Sequence, residues 1–311
     1  MRVTANTFPI SLRDQLSRLA VRQYQLQNQA ATGQRLTLPE DDPTAMRRVL
    51  DMQGEAKSLG QYQRNIDRHR ELATASYGSM HSLKKVVDRA GEITTLADGL
   101  KSPAELTTYA TELNEMIKQA LQLTNTRNRG DYIFSGTRSD QQAFVATTDA
   151  SGLITSVAYQ GNDSIAESEI SQNVTITSQT IGANTSGAGP RGLITDSRSG
   201  ADLFNHLISL RDNLLAGNTA AINSTNHGQI SADEENLLYH FGTNGSVQSR
   251  LETTAAIARK RGESLEGLIS KESDADLAQT LLQFHETQTA YQAAMQSSSM
   301  ILNNDLLDYI R

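Results

Sequence analysis

Eight positions near the C-terminus, Leu277, Leu281, Phe284, Gln288, Tyr291, Met295, Ser298 and Leu302, recur at alternating steps of four and three. That is the heptad a/d spacing of a helix that buries one narrow stripe against a partner helix. Gln288 and Ser298 stand where Leu or Ile would pack best, so a helix built this way is marginal alone and holds only when packed. A matching stripe opens the chain: Leu12, Leu16, Leu19, Gln23, Leu26 and Ala30 keep the same spacing. Residues 1–36 carry five arginines against Asp14, a net of +4, while residues 273–311 carry five carboxylates against Arg311, a net of −4. Opposite charge beside two apolar stripes favours pairing the terminal helices with each other over pairing either with itself. The same spacing also suits amphipathic helices of one globular bundle, and periodicity alone does not separate the two.

Composition narrows the class. A chain of 311 residues has room for about two domains. Its hydrophobic share of 37% is below the globular norm, and aromatics are 5% with no Trp, which points to an elongated core with much surface. The net charge of −7 and pI near 5.4 argue against nucleic acid as a partner. With no cysteine there is no disulfide, thiolate metal site or thiol chemistry. Met1 to Ile10 lacks the apolar run of a cleaved signal peptide, and no stretch is apolar for long enough to span a membrane. The expectation is a chain without membrane partners, soluble or exported without a cleaved signal.

The helices announce their starts. Gly33, Pro39 and Pro43 break the first helix, and Asp42-Pro43 reads as an N-cap followed by proline at the first helical position. From Pro43 to about Leu100 apolar residues keep helical spacing without a proline. Ser102-Pro103-Ala104-Glu105 is a capping box that opens a helix running to about Asn128. The period then changes. Tyr132-Ile133-Phe134, Leu153–Tyr159 and Val174–Thr177 read as strands, with Gly182 to Gly192 as loop. Helix returns over Asp202–Ala216, Ser231-Ala232-Asp233-Glu234 reads as a second capping box, and Gly242–Gly245 predicts an irregularity.

Residues for catalysis do not assemble. The six histidines are scattered along predicted helices, and His285-Glu286 is followed by Thr289 where a zinc-protease helix needs a second His. No nucleophile elbow, phosphate loop or dinucleotide fingerprint occurs. Glu40-Asp41-Asp42 could ligate a metal, but carboxylates are favoured at a helix start in any case. No catalytic, cofactor-binding or metal-binding residue is therefore assigned, and the chain is not expected to be an enzyme. Arg129-Gly130-Asp131 resembles an adhesion tripeptide, a match short enough to arise by chance.

Longer runs carry more. Leu26-Gln27-Asn28-Gln29-Ala30-Ala31-Thr32-Gly33-Gln34-Arg35-Leu36 with Pro39-Glu40-Asp41-Asp42-Pro43, Arg129-Gly130-Asp131-Tyr132-Ile133-Phe134-Ser135-Gly136, and Glu272-Ser273-Asp274-Ala275-Asp276-Leu277-Ala278 with the ending Leu306-Leu307-Asp308-Tyr309-Ile310 resemble the hook-associated protein 3 family, hook–filament junction proteins of the flagellin family. Flagellin itself is the nearest alternative. It usually reads serine and alanine around the Asp-Asp pair, where this chain has Pro39 and Pro43. A secreted adhesin is a more remote one. The resemblance implies a mainly α chain: an elongated helical rod with a coiled-coil core from both chain ends and a small β-rich insertion.

On that plan residues 1–42 with 273–311 form the terminal coiled coil, 43–129 with 193–272 the helical rod, and 130–192 the outward-facing β insertion. The resemblance also implies a structural role in the bacterial flagellum, joining a hook-side junction protein to the filament by helical self-assembly. The partners would be hook-associated protein 1, flagellin subunits, further copies of the chain, and an export chaperone on the C-terminal helix during passage through the flagellar channel. The residues expected to form the assembly seam are Leu12, Leu16, Leu19, Leu26, Leu277, Leu281, Phe284, Tyr291, Met295 and Leu302.

Overall fold

A computed structural model describes the backbone of residues 7–97 and 99–309, and the side chains of residues 10–97 and 99–300. The chain is mainly α, with a small β region in its middle. By backbone proximity it divides into two compact units, Met1–Ser58 with Lys260–Arg311, and Leu59–Arg259. This differs from the three parts drawn from the sequence, because the strands share one core with the helices around them.

In the first unit, α1 (Thr7–Thr32) is followed by the start of α2 (Pro43–Leu96), and the end of α6 (His227–Ser273) by α7 (Leu277–Tyr309). The Asp42 carboxylate accepts hydrogen bonds from the N–H groups of Thr44 (3.1 Å) and Ala45 (3.0 Å), so α2 starts where the sequence places its cap.

In the second unit, α2 ends at Leu96 and α3 (Pro103–Thr124) opens on the expected capping box. The Ser102 N–H donates to Glu105 at 2.8 Å and the Glu105 N–H to Ser102 Oγ at 3.3 Å. Arg89 of α2 makes a bidentate pair with Glu112 of α3, at 2.6 and 3.1 Å. Met80, Leu83 and Ile93 of α2, Leu113 and Ile117 of α3, and Leu207 and Leu210 of α4 (Leu203–Leu215) are fully buried in one core.

The strands form small sheets beside these helices. β1 (Arg127–Asn128) and β2 (Asp131–Tyr132) are a tight hairpin turning through Arg129 and Gly130, both at positive φ. β3 (Phe144–Thr148) pairs antiparallel with β4 (Ile154–Tyr159), and β5 (Ser168–Ser171) with β6 (Val174–Ile176). β7 (Ile181–Asn184) runs parallel to β8 (Gly192–Asp196), which is antiparallel to β9 (Ala201–Asp202).

Four readings need correction. Ile133 and Phe134 are not strand; they turn inward, and the Phe134 carbonyl accepts the Gly182 N–H at 2.7 Å. Gly182 to Gly192 is not a simple loop, since its two ends are the parallel strands β7 and β8, and the β region extends to Asp202. Ser231 does not begin a helix: a short α5 (Thr219–Ala221) and a π-helical turn (Ile222–Asn226) lead into α6 at His227. Nor does α6 break at Gly242–Gly245.

The last two corrections share a cause. Asp233, Asn236, His240 and Asn244 lie on one buried stripe of α6 and bind backbone. Asp233 accepts the Asp202 N–H at 2.8 Å and holds His206 at 2.8 Å. Asn236 donates to the carbonyls of Gly192 and Leu193, each at 2.9 Å, and His240 lies 3.1 Å from the Gly192 carbonyl. Asn244 donates to the Ala73 carbonyl of α2 at 3.1 Å, which carries the helix through its glycines.

Candidate assembly interface

α1 and α7 pack against each other within the first unit. Their shared end is a joint made by two helix breaks. Gly33, at φ +72°, takes the chain out of α1, and its carbonyl accepts the Ala275 N–H at 2.8 Å. The Arg35 N–H donates to the Ser273 carbonyl at 2.7 Å, so Gln34 and Asp274 face each other as an antiparallel bridge. From this bridge α1 and α7 run antiparallel. The Gly33–Leu36 and Glu272–Ala275 runs, 237 residues apart at the Arg35–Glu272 contact, thus meet in space.

Charge reinforces the joint. The Arg35 guanidinium donates to the Glu272 carbonyl at 2.6 Å, and Arg48 of α2 makes a bidentate pair with the Glu272 carboxylate at 3.2 and 2.9 Å. The Arg48 hydrogen bonds hold the Glu272 carboxyl below its ordinary pKa. Asp41 accepts the N–H groups of Leu38 (2.9 Å) and Thr37 (3.0 Å), which lower its pKa and fold the connection between α1 and α2. Asp42 is lowered chiefly by its bond from Ala45. Asp41 and Asp42 are thus spent on backbone amides, and among the described residues no group of three metal-ligating side chains occurs. Asp276 accepts the Gln279 N–H at 3.1 Å and caps α7. Beneath the joint Leu36, Ala45 and Val49 form a small core with Ile269.

The residues expected in the seam divide. Leu26 is buried, at 5% exposure, and Leu12, Leu16, Leu19, Phe284 and Tyr291 are half-buried. Leu277, Leu281 and Met295 are not in the intrachain seam: they are 48%, 48% and 50% exposed. The side chain of Leu302 lies outside the described residues. The buried stripe of α7 instead runs Thr280, Phe284, Thr287, Tyr291, Ala294 and Ser298, one position earlier at alternate steps.

Sequence reasoning passed over Thr280 and Thr287 because they are polar. Thr287 satisfies its hydroxyl on the Gln283 carbonyl (2.7 Å), and Ser298 on that of Ala294 (2.6 Å), so both bury without an orphaned donor. The signal was present in the seven-residue spacing of Thr280, Thr287 and Ala294. Among the described residues no ion pair joins α1 to α7; the Arg48–Glu272 pair at the joint links α2 to α6. The Arg-Gly-Asp tripeptide forms the turn of the β1–β2 hairpin, where Arg129 is engaged by Glu71.

Residues 3–139 match the model of the bacterial flagellin N-terminal helical region. No curated protein sequence matches the chain. Among solved structures, a Vibrio parahaemolyticus protein assigned as a flagellar hook-associated protein is similar over 75% of this chain and 100% of its own, with 18% identity and a TM-score of 0.63. Bacillus cereus FlgL matches over 71% of this chain and 99% of its own, with 17% identity and a TM-score of 0.56. The flagellar junction protein FlgL of Legionella pneumophila matches over 74% and 100%, with 14% identity and a TM-score of 0.53. At these identities the structures speak for the fold alone. Residues 3–139 thus match a flagellin N-terminal helical region, in a chain with the fold of flagellar hook-associated proteins.

Proposed function

We propose that this chain is a structural subunit of the bacterial flagellum that sits between hook and filament, joining a hook-side junction protein to the first flagellin subunits. The observation that carries the reading is the likeness in fold to FlgL and hook-associated proteins along almost their whole length, on a chain with a flagellin N-terminal region. The antiparallel pair of terminal helices supports assembly by helix packing. The polar seam residues Thr280, Thr287 and Ser298 suit a pair that can stay unfolded during export and order on assembly. On this reading the partners are hook-associated protein 1, flagellin, further copies of the chain and, before export, a chaperone on the C-terminal helix. The role is mechanical and not enzymatic.

The test is a deletion strain. The reading expects hooks without filaments, flagellin released into the medium, and loss of motility restored by the intact gene. A strain that keeps normal attached filaments would contradict it.

A further inference from the structure

A cavity of about 210 Å³ lies within the second unit, between β7, the Pro190–Arg191 turn and α6. Ile165, Ile181 and Val247 stand in its walls. His240, at 5% exposure, forms its floor, while half-buried Arg191 and exposed Tyr239 stand at its mouth. Most polar side chains that line it are engaged. Ser178 bonds His69 at 2.8 Å, Thr243 donates to the Tyr239 carbonyl at 3.0 Å, and Asn244 is spent on Ala73.

Two groups are not. A carbonyl oxygen only accepts, so the Gly192 contact fixes the proton of His240 on Nε2. Burial keeps the ring neutral. Nδ1 is then a bare acceptor with no hydrogen-bond partner among the described residues. Gly192 does not line the cavity, so the Nε2 edge of the ring is turned away and the Nδ1 edge faces in. A buried acceptor left unpaired is costly, and the cavity therefore favours an occupant that donates. The second group is Arg191. Its guanidinium lies 4.2 Å from the centre of the Tyr239 ring, and among the described residues it has no ion pair or hydrogen bond.

We propose that this cavity binds a phenol that carries a carboxylate, with the phenol O–H donating to His240 Nδ1 and the carboxylate held by Arg191 at the mouth. That chemistry has two sources: a free hydroxyaryl acid, or a tyrosine beside an acidic residue on a partner chain. Size allows one ring, since an apolar cavity of roughly 150 Å³ already takes benzene. The isoleucines and the valine ask for an apolar body. Arg191 and Arg198 lie close enough to His240 to disfavour positive charge there, which removes ammonium and guanidinium donors. A phenol satisfies both demands: its ring buries apolar area, its O–H takes a partner, and it has few torsions to fix.

The probe is 4-hydroxyphenylacetate, added to the full chain labelled with 15N-histidine and followed by NMR. The His240 Nδ1 signal is identified by its absence from a His240→Gln variant. The proposal expects saturable binding with a Kd of roughly 1–10 mM, usual for so small a ligand, and a shift of the Nδ1 signal as it accepts the bond. Phenylacetate, without the hydroxyl, should bind about tenfold more weakly and leave Nδ1 unmoved. Arg191→Gln, checked for helix content by circular dichroism, should weaken the hydroxy acid about threefold and leave 4-hydroxyphenylacetamide unchanged. The peptide acetyl-Glu-Tyr-Gly-amide and its phenylalanine counterpart form the second arm. Tighter binding of the tyrosine peptide than of the free acid assigns the site to a partner chain, and the reverse assigns it to a small molecule. Equal binding with and without the hydroxyl in both arms would overturn the proposal, as would binding that leaves Nδ1 unmoved. No saturable binding in either arm would overturn it as well and mean that the cavity holds water alone.

Discussion

His240 makes the stability of the second unit depend on acid. Its side chain is buried at 5% exposure and lies 3.1 Å from the Gly192 carbonyl. Burial pushes its pKa from 6.5 down to about 4; the Gly192 bond opposes this, while nearby Arg191 and Arg198 add to it. Between those values the unfolded chain binds a proton that the native chain does not, so stability is present above 6.5 and is lost as pH falls toward 4. At 1.36 kcal/mol per pH unit, acidification from pH 7 to 4.5 removes roughly 3 kcal/mol through this one residue. The Asp196 carboxyl is held at about 2, so its contribution is lost only at lower pH, as acid passes from 3.8 to that value. Other histidines are common to the parent and a His240→Gln variant and cancel in their difference. Glutamine keeps an N–H for Gly192 and does not titrate. Urea unfolding of both chains, followed by circular dichroism at pH 7 and pH 4.5, should show the parent's advantage over the variant shrinking by about 3 kcal/mol. A difference unchanged between the two pH values would refute the argument and mean that the buried imidazole accepts its proton in the native fold.

Two further substitutions test the packing of the second unit. A Cβ at Gly182 would come within 2.6 to 2.8 Å of the Phe144 and Tyr159 rings, which are fixed in the core; Gly182→Ala should cost about 1–3 kcal/mol in denaturant melts. Ser102→Ala removes the capping box of α3 and should cost about 1 kcal/mol, seen as a lower urea midpoint with an unchanged slope. In the first unit, Glu272→Gln breaks the pair with Arg48; both side chains are solvent-exposed, so the loss should be small and shrink in high salt, measured by hydrogen exchange near the joint.

What could be read beforehand was what local chemistry dictates. Asp42-Pro43 and Ser102–Glu105 satisfy orphan amides with neighbouring side chains, so sequence alone placed both helix starts. Strand β4 was legible from its β-branched residues, whereas β7 was not: Gly182-Ala183-Asn184 carries no strand propensity and is held by a parallel partner beyond a turn. Ser231–Glu234 failed as a capping box because Asp233 faces the Asp202 amide across the core rather than its own helix start. The interface was half legible. The two stripes pointed to the right pair of helices, but ranking residues by hydrophobicity put Leu281 in the α7 seam, where Thr280 sits. In a seam this narrow, a hydroxyl that bonds its own helix fits closer than leucine, and the leucines are left facing outward.

The central claim is a place in the flagellum, and it can be seen directly. An epitope-tagged chain expressed at its native level, in a strain whose motility it restores, is located by gold labelling of isolated flagella in the electron microscope. The account predicts label confined to one short band where the hook meets the filament. Label distributed along the filament would contradict it and make the chain a filament subunit.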